Sequence, residues 1–173
     1  PLRQAFVLCS GSVLRYRLLA GGARPAEPQK AGNVPVSADE TAAGAFRAIL
    51  RSCLGQIAAN RDATLAGDAP EGPHQLRVGL RRLRSALKVY GHGLAPEPRA
   101  ELDAAARDLG LSVGALRDLD VLATEIVAPA LEAAPPELAE PARAALLETL
   151  ASRRLRIRAE LRRLLEGPAV NAL

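Results

Sequence analysis

Aromatic side chains are almost missing from this chain. Phe6, Tyr16, Phe46 and Tyr90 are the only ones, and there is no Trp or Met. Sheet cores draw on aromatic and β-branched residues, so a core this poor in them points to helices meshing small and branched side chains. Ala and Leu dominate the apolar 49%, and with Arg and Glu they favour helix throughout. The same scarcity removes the platforms on which nucleic-acid bases stack. The thiols Cys9 and Cys53 are isolated and fit neither a metal-ligand spacing nor CxxC. Cys53 falls on an apolar helical stretch and reads as a small core residue; both thiols suit a reducing cytoplasm. No apolar run approaches the length of a membrane span. The opening PLRQAFVLCSGSVL has one Arg and an apolar stretch broken by polar residues, which does not make a signal peptide. A start on Pro rather than Met fits a fragment. There is no GxSxG, no Gly-rich phosphate loop and no nucleophile–base arrangement, so neither a catalytic residue nor a cofactor is expected.

Lysine is also scarce. Lys30 and Lys88 are the only two among 23 basic residues, which leaves 21 Arg. Arg is the better bidentate ligand for phosphate and carboxylate, although a GC-rich genome also favours Arg and Ala. Clustering says more than the total. No carboxylate occurs from Gly72 to Pro96, where a solvated helix would normally mix signs to gain i,i+4 pairs. Within it, PHQLRVGLRRLRSALKVY (residues 73 to 90) reads as a helix with two faces. Leu76, Leu80, Leu83, Leu87 and Tyr90 alternate by four and three, the spacing of a bundle-core seam. His74, Arg77, Arg81, Arg84 and Lys88 form a second stripe about 100° around the helix. Two readings stand: a basic solvated face neutralised by acids on neighbouring helices, or a rail for an anion. Arg82 falls off the rail on the helical wheel.

The remaining chain is organised around that helix. Residues 1 to 22 suggest two short strands around CSGS, and residues 23 to 36, with three prolines, read as a linker. Ser37 with Glu40 resembles a capping box opening a first helix to about Ala66, with Phe46, Ile49 or Leu50, Cys53, Ile57, Asn60 or Ala58, and Leu65 as its stripe. GDAPEGP turns into the second helix, and Gly91 is its C-cap. A third helix spans about 98 to 127 on Leu102, Leu109, Leu116, Leu119 and Ile126, with Gly110 and Gly114 allowing close approach and Pro129 ending it. A fourth spans about 136 to 166 on Leu146, Leu150, Ile157, Leu161 and Leu164. Four long helices with short turns predict an all-α, antiparallel four-helix bundle over residues 37 to 173, preceded by an extended tail over residues 1 to 36.

Three further groups could carry chemistry. His74 lacks companions at metal-ligand spacing, since His92 lies 18 residues on, so no metal is expected; it could instead donate to an anion. In ALRDLDVL, Arg117, Asp118 and Asp120 share a helical turn. The two carboxylates point about 200° apart, which argues against a catalytic pair. Asp120 lies near the apolar stripe, where it needs partners, and arginines of the second helix could supply them and be oriented by both acids. In RRLRIRAELRR, Arg154 takes a core position between Leu150 and Ile157. It either snorkels out of the bundle or joins the same anion site.

Together, PHQLRVGLRRLRSALKVY and LRDLDVL closely resemble the signature of CHAD domains, the conserved histidine α-helical domains, over about residues 37 to 170. The resemblance implies a helical fold of two four-helix halves around a basic groove, of which this chain would hold the first. It implies non-catalytic binding of inorganic polyphosphate, association with polyphosphate granules and a cytoplasmic location. Its binding residues carry over to His74, Arg77, Arg81, Arg84, Lys88 and Arg117, with Arg82 ranked lower; Arg154 is a secondary candidate from its position on the fourth helix alone. SGSVLRYRLLAG, residues 10 to 21, resembles the last strand of a CYTH (triphosphate tunnel) domain, but the places of its Lys and Arg ligands hold Gly11 and Leu14. A triphosphatase is therefore disfavoured. Nucleic-acid binding and a purely structural helical module remain the other readings.

Overall fold

The computed structural model describes residues 26–167. The strands expected within residues 1 to 22 lie outside them. Among the described residues there are helices and no strands. Helix α1 spans Ala42–Ala66, α2 Glu71–Tyr90 and α3 Pro96–Val121. Helix α3 runs on through a π-helical segment, Leu122–Val127, into the short α4, Ala128–Ala133; α5 spans Pro136–Glu166. Taken as one rod, α3 to α4 joins the other three in an antiparallel four-helix arrangement.

Boundaries differ from expectation where local chemistry decides them. Thr41, not Ser37, caps α1: its Oγ1 accepts from Gly44 N–H at 3.1 Å. Ser37 instead closes a turn, its carbonyl accepting from Glu40 N–H. Gly91 does end α2, but at φ −71°, passing into a 3-10 turn, Gly91–Gly93, rather than the left-handed cap that glycine permits. Pro129 does not end the third helix. The chain first widens, with Ala128 N–H donating to Ala123 five residues back, and Pro129 then falls in the first turn of α4, where its missing N–H costs little.

The core forms where the leucine stripe of α2 meets α1 and α3. Leu76, Leu80, Leu83 and Leu87 are all buried, packed with Phe46, Leu50, Cys53 and Ile57 of α1 and Leu109, Val113 and Leu116 of α3. Tyr90 does not continue the stripe inward; it lies exposed at the helix end, stacked on Phe46 at a centroid distance of 5.9 Å. Ile126 is likewise exposed, because the π-turn carries it off the α3 stripe. Among the described residues, α5 reaches the core through Ile157, Leu161 and Leu165 in its C-terminal part. Leu146 and Leu164 of its expected stripe are exposed. Burial pushes the Cys53 thiol pKa up, with nearby Arg82 opposing, consistent with a packed, uncharged side chain.

Two glycines bring α1 and α2 into close approach. A Cβ on Gly79 would lie 3.0 Å from Cγ1 of Ile57, and one on Gly72 would lie 3.1 Å from the backbone N of Thr64. Beside this seam runs a buried polar row spaced by four residues: Gln56, Asn60 and Thr64. Asn60 is fully buried. Its Oδ1 accepts from Gln29 N–H at 2.9 Å, and its Nδ2 donates to the carbonyls of Gln29 and Gln56 at 2.8 Å each. The amide thus imitates a neighbouring strand and ties the proline-rich segment to the bundle. Asn60→Ala strands these groups and should cost about 2 kcal/mol or more, measured by urea unfolding. Hydrogen exchange at Gln29 should rise together with that loss.

Candidate functional site: a basic groove between the second and third helices

Because the leucines of α2 face the core, its basic stripe lands on the flank, where α3 forms the opposite wall. Between them is a groove of about 770 Å³. Arg77, Arg81, Arg84 and Lys88 line it from α2, and Arg99 and Arg107 line it from α3. His92 and Ser85 also line it, and Asp103 is its single carboxylate. Six fixed cations therefore face one fixed anion. Ala106 and Gly110 form part of the wall between the rows of charge, and a Cβ on Gly110 would meet nothing within 4 Å.

Two of the four rail cations are held. Arg77 donates through NH1 to Asp118 Oδ1 at 3.0 Å, over Gly114, whose missing side chain leaves room for the guanidinium. Arg84 donates through Nε and NH2 to the two oxygens of Asp103, at 2.9 and 3.3 Å. This hydrogen-bonded pairing raises the Arg84 pKa further, against a smaller effect of burial. Arg81, Lys88 and Arg99 make no salt bridge among the described residues. Arg81 and Lys88 are exposed, and Arg99 is partly buried. Arg99 lies across Gly91, where a Cβ would come within 2.7 Å of its Cδ, so the glycine that ends α2 also seats a groove arginine. Sequence pattern did not single out Arg99 or Arg107; their four-residue steps around Asp103 on α3 were the available signal.

The other candidate residues lie elsewhere. His74 sits half-buried in the first turn of α2, outside the groove lining. Arg117 reaches Glu125 at 3.5 Å and is not a lining residue. Arg82 faces α1: NH1 donates to Gln56 Oε1 at 2.7 Å and NH2 to Ser52 Oγ at 3.4 Å. Gln56 in turn donates to Gln75, and Gln75 to Glu71. Asp118 pairs with a second-helix arginine, Arg77, whereas Asp120 does not. Its Oδ1 takes Arg154 Nε of α5 at 2.7 Å, and its Oδ2 is buried without a partner. Arg154 thus neither snorkels free nor enters the groove; its NH2 also donates to the Asp68 carbonyl at 2.8 Å. The arginine-rich face of α5 caps the end of α1. Arg158 donates to the carbonyls of Thr64 and Gly67, and Arg162 to that of Leu65. Cations at a helix C-terminus satisfy its orphan acceptors and its dipole. Burial lowers the Arg158 pKa, partly offset by Asp68 at 2.9 Å.

Chemically, the groove can hold an anion and offers little else. Ser85 and His92 both line it but share no hydrogen bond, so neither activates the other. Among the described residues, no group of three His, Cys, Asp or Glu could hold a metal ion, and no helix is long and apolar enough to cross a membrane.

A helical bundle whose flank is a two-sided cationic groove is the class that fold and site define. The CHAD domain model matches residues 48–173, most of the chain, and the chain belongs to the CHAD family. The match begins after the stretch resembling a CYTH strand, which also lies outside the described residues. No curated protein and no solved structure was found to be similar to it.

Arg82 and Arg81 are adjacent and identical in charge but differ in surroundings. Arg82→Ala leaves Gln56 short of a donor and should cost about 1 to 2 kcal/mol of stability while changing anion affinity less than twofold. Arg81→Ala should do the reverse, measured by unfolding and by binding titration. For the α3–α5 tie, a double-mutant cycle of Asp120→Asn and Arg154→Ala should give a coupling of about 1 kcal/mol; additive single effects would show that the pair contributes nothing beyond its parts.

Proposed function

We propose that this chain binds inorganic polyphosphate without chemical turnover, along the groove between α2 and α3. The observation that carries the reading is the groove's set of cations without counter-ions: Arg81 and Lys88 on one wall and Arg99 on the other. Arg77 and Arg84 complete the rail, already oriented by Asp118 and Asp103. From Arg77 to Lys88 the rail extends about 16 Å along the helix, with a cation every turn of about 5 Å. A flexible chain with a negative charge on each phosphate can follow that spacing. His74 and Arg117 enter the reading only for a chain that runs beyond the groove.

Arginine suits this role because its fork engages two phosphate oxygens at once. Family membership supports the choice of anion, and association with polyphosphate granules in the cytoplasm would follow from it. A nucleic-acid ligand is less well served. Of the two described aromatics, Phe46 is buried and Tyr90 is stacked on it, and neither lines the groove. The groove therefore offers charge without a stacking surface.

Reversing two partnerless cations tests the reading. Arg81→Glu with Lys88→Glu should weaken long-chain polyphosphate binding by about 100-fold or more, since each charge-assisted contact contributes about 1.5–3 kcal/mol. Wild-type affinity should fall steeply between two salt concentrations, as for other polyanions. DNA or RNA of matched charge should compete poorly. Equal competition by DNA would remove the claim for polyphosphate, and unchanged binding by a natively folded double variant would remove the groove.

A further inference from the structure

The groove is not uniformly cationic, and its one exception is placed where it matters. Asp103 stands between Arg99 and Arg107 on α3, four residues from each, and faces Arg84 across the groove. Its two oxygens take Nε and NH2 of Arg84, the same edge of the guanidinium that a phosphate would engage bidentately. The pair is only half-buried, with side-chain exposures of 42% for Arg84 and 41% for Asp103. Exposed pairs of this kind contribute little to stability, so a ligand can displace the carboxylate cheaply. Asp118 makes a similar contact to Arg77 but is 73% exposed and lies outside the lining. Only Asp103 puts negative charge inside the site.

We propose that Asp103 is a specificity-determining residue, a resident carboxylate that disfavours short phosphates and so selects for extended polyphosphate chains. The proposal rests on the polyphosphate reading of the groove. A short anion seeks the densest cluster of donors, Arg81, Arg84 and Lys88, and there it must displace Asp103 and remain beside its charge. A long chain can pass over the pair, leave Arg84 to Asp103, and still reach Arg77, Arg81 and Lys88. The repulsion is then a large fraction of a short ligand's binding and a small fraction of a long one's.

Tripolyphosphate and long-chain polyphosphate are titrated against wild type, Asp103→Asn and Asp103→Glu, with circular dichroism confirming the fold of each. Asp103→Asn should tighten tripolyphosphate binding by roughly 3- to 10-fold, the scale of one removed charge at the edge of a solvated site, and tighten the long chain less. The ratio of the two affinities should shrink. Asp103→Glu keeps the charge and should keep the ratio. A ratio unaltered in Asp103→Asn, or weaker binding of both ligands, would overturn the proposal in favour of a carboxylate that merely holds Arg84, while leaving the polyphosphate reading intact. A wild-type protein that binds neither ligand would overturn that reading, and this inference with it.

Discussion

The contact between Gly79 of α2 and Ile57 of α1 governs how the basic face of α2 is presented. With no side chain at Gly72 or Gly79, the two helices approach until Ile57 lies against the α2 backbone. The Gln56, Gln75 and Arg82 hydrogen bonds then lock the rotation of α2 about its own axis. Once that rotation is set, Leu76, Leu80, Leu83 and Leu87 face inward and Arg77, Arg81, Arg84 and Lys88 face α3. A buried amide network tolerates little slippage, since a shift of one residue would strand several donors and acceptors away from water. The basic face is thus positioned by polar contacts on the opposite side of the same helix.

Placing so many cations together has a cost, which α3 offsets. Asp103 and Asp118 lie fifteen residues apart on that helix, and each takes one arginine of the rail. They hold those guanidinium groups near the groove without neutralising their neighbours. The rail that results alternates between tethered and untethered charge: Arg77 and Arg84 are held, Arg81 and Lys88 are not. Under the proposed function, an anion would meet some donors already ordered and others still free to adapt, which would limit the ordering cost of binding.

The periodic features of the fold were legible in the sequence. The 4-3-4 leucine spacing of α2 located the core, and α5 spans Pro136–Glu166, the bounds expected. What periodicity could not reveal was which face a helix turns toward which neighbour. Arg154 occupies an apolar register, and only the fold shows that Asp120 waits there. Arg99 and Arg107 looked like ordinary surface arginines because the groove's far wall exists only after α2 and α3 pair. Leu146 and Leu150 kept a helical spacing, yet Leu146 is exposed. The π-turn at Leu122–Val127 was hidden for a different reason: it changes the phase of the helix without changing its composition.

Arginine content alone therefore says little about function here, and the separation of its roles comes from acceptors. Arg82 ends on side-chain oxygens of α1, and Arg158 and Arg162 end on backbone carbonyls at the last turn of that helix. Each of these directs a fixed donor to a fixed acceptor, and its removal would leave a polar group unpaired. Arg81 and Lys88 end on nothing described in the protein. Maintaining two such cations beside Arg84 raises the free energy of the unliganded groove through mutual repulsion, modest at the surface but without return in packing or hydrogen bonding. In the proposed reading, that uncompensated repulsion is what separates a binding rail from a structural one, because an arriving anion would relieve it.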